Sequence, residues 1–137
     1  MMLKRITRFE AKNSNSFITV KGYFMLSDEE YSRQFIIAKE DIPELINAIK
    51  NIDHDPEKDY DGVGDTDITL YRKNTKQKDI SCWFSYQGWG YQPNTITVGT
   101  SWYDGSHQNG SIHIPYKDFD DMKSQLNDLV KVIESCM

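Results

Sequence analysis

Two stretches of this chain carry one pattern at a constant offset of 77 residues. In the first, Phe35 and Ile37 alternate as the inward residues of a strand, Asp41 stands where a helix would be capped, and Ile42, Leu45, Ile49 and Ile52 recur at helical spacing. The counterparts are Ile112 and Ile114, then Asp118, then Phe119, Met122, Leu126 and Leu129. A strand, a polar turn and an amphipathic helix used twice restrict the fold sharply. Antiparallel sheets leave one face to cover, and two helices can cover it or plug the ends.

The intervening sequence supplies the other strands. Arg5–Ala11 reads as a first strand, and Asn13-Ser14-Asn15-Ser16 is turn chemistry. Phe17–Leu26 is a long strand rich in β-branched and aromatic residues, Ser27-Asp28-Glu29-Glu30 a polar turn, and Arg33–Ala38 the third strand. Asp41, with Pro43 in the first turn and Glu44 three residues on, forms a helix start signal. The second half reads as strands at Asp67–Lys73, Ile80–Gln87, Thr95–Tyr103 and Ser111–Ile114, with Asp104-Gly105 and Asn109-Gly110 flanking a turn. A longer helix capped by Asp118 follows. The expected fold is α+β: antiparallel sheet of about seven strands, two amphipathic helices, and pseudo-repeated β(3-4)-α units. The 137 residues suit one domain, with repeats over 1–52 and 67–137 joined by the acidic loop 53–66.

That loop is the clearest candidate site. Asp53, Asp55, Glu57, Asp59, Asp61, Asp65 and Asp67 lie close together, and only Lys58 opposes them. Such a cluster makes a negative field able to steer a basic partner. Glu57, Asp59, Asp61, Gly62 and Asp65 follow part of an EF-hand spacing, but the closing position is Ile68 where a bidentate glutamate is needed, so no metal is expected. The second candidate is aromatic. Alternation places Cys82, Phe84 and Tyr86 on one strand face and Trp83 and Ser85 on the other. Trp89 and Tyr91, in Gly88-Trp89-Gly90-Tyr91, read as loop contact residues.

Catalytic chemistry has no carrier in the sequence. His54, His107 and His113 pair by spacing with no nucleophile, and His113 turns away from the face of Ile112 and Ile114. No phosphate loop, paired-histidine helix or nucleophile elbow occurs, and no cofactor is implied. Sixteen basic against 21 acidic residues give a formal charge of −5, a poor default for a chain that must neutralise phosphates. Met1-Met2-Leu3-Lys4-Arg5 leads into no apolar run, so neither a signal peptide nor a membrane span is expected. Cys82 and Cys136 read as free thiols of a reducing compartment, which makes the expected location cytoplasmic.

The twice-used β-α unit resembles the Whirly family of single-stranded nucleic-acid binders and the related PUR repeats. Val20-Lys21-Gly22-Tyr23-Phe24 keeps the Lys-Gly pair of the Whirly signature, while its second lysine and small apolar residues are absent. In size, acidity and the closing strand-then-helix, the chain also resembles immunity proteins of bacterial contact-dependent inhibition and polymorphic-toxin systems. That resemblance implies a non-enzymatic antitoxin that binds and blocks a cognate toxin domain, a basic nuclease by charge complementarity. The alternative is a Whirly-like single-stranded nucleic-acid-binding module. Charge and the missing lysines favour the first, in which nucleic acid is not a partner.

Overall fold

The computed structural model describes residues 4–60, 66–74, 80–88, 94–103 and 107–137. Strands β1 (Arg8–Ser14), β2 (Phe17–Leu26) and β3 (Glu29–Ala38) form a three-stranded antiparallel sheet in that order. Helix α1 (Ile42–Lys50) follows. Strands β4 (Thr66–Asn74), β5 (Ile80–Gly88), β6 (Asn94–Tyr103) and β7 (His107–Tyr116) form a four-stranded antiparallel sheet, again in sequence order. Helix α2 (Phe119–Cys136) closes the chain. Seven strands and two helices make the α+β architecture that the alternation predicts.

Several strand boundaries differ from those the turn-forming residues predict. The β2–β3 turn needs only Ser27 and Asp28, both at positive φ (49° and 68°), the mirror-image geometry that suits a two-residue hairpin. Glu29 and Glu30 therefore pair in β3, which starts four residues before Arg33. β1 starts at Arg8, not Arg5, and runs on to Ser14. Asn109-Gly110 is not a turn. Both residues pair within β7, opposite Ser101 and Thr100, so the last strand is much longer than Ser111–Ile114.

The paired positions match in burial only in part. Phe35, Ile37, Ile112 and Ile114 are buried, as are the pairs Leu45 with Met122 and Ile49 with Leu126, whereas Phe119 opposite Ile42 and Ile52 opposite Leu129 are only half-buried. The units differ in strand number, three against four. Their helix entries differ too. Asp118 has extended backbone (φ −154°, ψ 174°), and its carboxylate accepts from the Asp121 N–H at 2.8 Å, as a helix cap requires. Asp41 ends a 3-10 turn over Lys39–Asp41 in helical backbone (φ −94°, ψ −12°), and its side chain makes no capping bond. The capping signal was correct in residue type and overridden by that tight entry turn.

The inner faces of the sheets meet. Gly22 of β2 lies against Ile112 of β7, so close that an added Cβ would stand 2.7 Å from Ile112 Cγ2. β3 packs on β6 and β7, and the Thr100 hydroxyl donates to the Ile36 carbonyl at 2.8 Å. The helices bridge the two units. Glu44 of α1 accepts from Lys73 of β4, while α2 packs on β1 and receives the Asn13 side-chain amide at its Cys136 carbonyl, 3.0 Å away. Each helix is thus tied to strands of the other unit, and buried residues of both form one cluster.

Arg5 adds a further staple ahead of β1. Its guanidinium donates two bonds of 2.9 Å to the Asp121 carboxylate, which also accepts from the Lys117 N–H at 3.1 Å. The Arg5 bonds lead in holding the Asp121 carboxyl down at about 2. This lies below the unfolded value of about 3.9, so the stabilisation is complete above pH ~4 and is lost as pH falls through ~2. Arg5 is largely exposed and solvent screens the pair, which leaves a contribution of about 1 kcal/mol. Urea unfolding should show Asp121→Asn less stable by that amount at neutral pH, with the difference vanishing near pH 2. An equal difference at both pH values would remove the charge from the explanation.

Candidate functional site

The acidic segment after α1 is a built feature. The Asp55 carboxylate accepts from the Glu57 N–H at 3.0 Å and caps a 3-10 turn over Pro56–Asp59. Pro56 is buried, and the Tyr60 ring stands edge-on to Tyr86 with centroids 6.3 Å apart. Gly88 makes room for this pair, since a Cβ there would fall 2.8 Å from the Tyr86 hydroxyl and 3.1 Å from the Tyr60 ring. With its base pinned, the turn presents Glu57 and Asp59 to solvent, and Asp53 is exposed just ahead of it. Asp59 lies 3.3 Å from His54 Nε2. Burial, then Glu57, Tyr60 and Asp55, push the Tyr86 hydroxyl up to about 12. Tyr116 is pushed up by burial, with Tyr86, Asp55 and Glu57 adding to it.

Of the seven predicted carboxylates, five lie among the described residues. Asp53, Asp55, Glu57 and Asp59 share this segment. Asp67 belongs to β4, in register with Gln87 of β5, on the outer face of the four-stranded sheet. Asp61, Asp65, Trp89 and Tyr91 lie outside the described residues. Among the described residues, no group of three or more histidine, cysteine or carboxylate side chains is placed to hold a metal.

That outer face is the second candidate, and a β-bulge builds it. Strict alternation along β4 would turn Asp67, Thr69 and Tyr71 outward together. The register shifts between Thr69 and Tyr71, so Tyr71 turns inward and stacks on Phe84 at 5.5 Å. Arg72 takes its place outside, opposite Trp83. Three rows then cross the sheet: Arg72, Trp83, Gly99 and Ser111; Thr69, Ser85, Thr97 and His113; Asp67, Gln87, Thr95 and Pro115. The inward alternates Cys82, Phe84 and Tyr86 are core, and burial pushes the Cys82 thiol up to about 12.

Between these rows lies a groove of about 400 Å³, lined by Asp67, Thr69, Arg72, Trp83, Ser85, Gln87 and Ser111. Beside it, Thr97 is buried within a polar chain. Its hydroxyl donates to Gln87 Oε1 at 2.9 Å and stands 2.9 Å from His113 Nδ1. With the Thr97 proton committed to Gln87, Nδ1–H of His113 is the donor to Thr97. Burial and the charge of Arg33 lower the His113 pKa, which keeps this imidazole neutral near pH 7.

Sequence reasoning placed His113 and Trp83 on their correct faces. It read Trp83 as part of an aromatic strand, and it did not bring Thr69, Arg72, Gln87 and Thr97 to the same face. Alternation in β5 and β6 carried that signal for Gln87 and Thr97. Many other cations are spoken for: Arg5 by Asp121, Arg8 by Glu10 and Glu30 and by the Tyr23 ring at 3.6 Å, Lys73 by Glu44. No helix among the described residues is long and apolar enough to cross a membrane. Neither the family models nor the curated proteins searched contain a match to this chain.

Proposed function

We propose that this protein is a non-enzymatic immunity protein that binds a cognate toxin domain and blocks it, with the acidic segment covering a basic nuclease cleft. The observation that carries the reading is the pinned 3-10 turn of Pro56–Asp59, which presents Glu57 and Asp59 on a base anchored by Pro56 and Tyr60, with Asp53 exposed just ahead of it. A preorganised cluster of one sign loses little ordering entropy on binding and raises the rate of encounter with the opposite sign. The formal charge of −5 adds to the same field. Single-stranded nucleic acid is the weaker alternative. Trp83 offers a stacking surface, but Arg72 is the groove's one cation among the described residues, and phosphate binding needs several.

Co-purification with the protein encoded beside this one identifies the toxin. Against it, the triple variant Asp53→Lys, Glu57→Lys, Asp59→Lys should associate at least ~10-fold more slowly near 0.05 M salt, with the gap closing near 0.5 M. Dissociation should change far less. Equal association rates for the variant and the parent at low salt would exclude the acidic segment as the docking surface.

A further inference from the structure

The geometry points to a second binding site: the groove on the outer face of the four-stranded sheet takes a neutral, polyhydroxylated ligand, a saccharide unit stacked on Trp83. This goes beyond the inhibitor reading and does not depend on it, because the acidic turn takes no part. The groove, about 400 Å³, lies within the usual range of small-molecule sites. Trp83 is half-buried in its wall and supplies one flat apolar surface, suited to the C–H face of a sugar ring.

The rest of the lining selects among ligand classes. Thr69, Ser85 and Ser111 contribute hydroxyls, each able to donate and to accept. The Gln87 side-chain oxygen is committed to Thr97, which leaves its amide protons for a ligand. Asp67 and Arg72 join no ion pair among the described residues. Four strand residues lie between them, and with the bulge the span matches that from Trp83 to Gln87 on β5, about 13 Å, so they address the two ends of a ligand instead of each other. An apolar ligand would strand these polar groups without hydrogen-bond partners. A phosphate-rich ligand would meet one cation and a repelling carboxylate. A string of hydroxyls satisfies donors, acceptors and both charges at once.

The test uses nitrogen-15-labelled protein and the indole N–H signals. Glucose, maltose, cellobiose and N,N′-diacetylchitobiose are titrated separately to about 20 mM, where millimolar affinities register. At least one sugar should shift the indole signal that Trp83→Phe removes. Asp67→Asn and Arg72→Gln should each weaken that sugar at least ~10-fold while the spectrum stays otherwise native, about 1.4 kcal/mol of binding. The proposal is overturned if none of the four sugars moves the Trp83 signal. It is overturned equally if affinity survives all three substitutions, or if a ten-residue oligothymidylate shifts the same signal at lower concentration than any sugar.

Discussion

Phe35→Ala should destabilise the protein by about 4 kcal/mol, seen as a lower urea midpoint at unchanged slope. Phe35, in β3, is 1% exposed, pairs with Val20 of β2 and faces the other sheet where β3 meets β7. Truncation removes the ring and leaves a cavity that β-sheet backbone on both sides cannot collapse to fill. Ordinary domains are stable by about 5–15 kcal/mol, so this one residue holds a large share. Ser32→Ala, exposed on the same strand, should stay within about 0.5 kcal/mol. A loss under about 1 kcal/mol for Phe35→Ala would mean that the seam between the sheets is not packed as described.

Gly110→Ala should cost about 3 kcal/mol and lower the thermal midpoint by roughly 10 °C. A Cβ at this position would stand 2.7 Å from the Gln34 carbonyl oxygen and 3.1 Å from the Phe35 Cα. Both are backbone atoms of β3, so no rotamer change relieves the clash and the sheets must part. The same cost should persist in the Phe35→Ala background, since shortening that side chain leaves Cα in place. Gly22→Ala makes the useful contrast. Its Cβ would meet the Ile112 side chain, so Ile112→Ala should recover part of its cost, a coupling measurable by a double-mutant cycle. Were Asn109-Gly110 a surface turn, Gly110→Ala would be nearly silent, and a midpoint shift under about 2 °C would restore that reading.

Gly110 shows where sequence reasoning stops. Asn-Gly is a strong turn signal because both residues tolerate positive φ. The dipeptide cannot reveal that glycine here answers a different need, the approach of a second backbone from more than seventy residues away in the chain. Asp41 makes the same point at the helix entry. Residue type and spacing marked a cap, and the 3-10 turn before it withheld the extended backbone that capping uses.

The candidate sites divide likewise. The exposure of Asp53, Glu57 and Asp59 follows from composition, because carboxylates in such density cannot be buried. Asp67 looks like their continuation in sequence, yet its place in β4 carries it to the opposite use, at the rim of a polar groove with Arg72. Arg72 reaches that groove only through the bulge after Thr69, where one extra residue inverts the alternation.

By itself the sequence determined the seven strands, the two helices, the split of Cys82, Phe84 and Tyr86 from Trp83 and Ser85, and the Asp118 cap. These are periodic or nearest-neighbour properties, written in residues that touch along the chain. Only the tertiary structure decided the seam of β3 on β7, the packing of α2 across β1 and β7, and the meeting of Arg72, Trp83 and Asp67 in one groove. Those depend on backbone approach and strand register between distant segments, and a shift of one residue in register reverses which side chains face the groove.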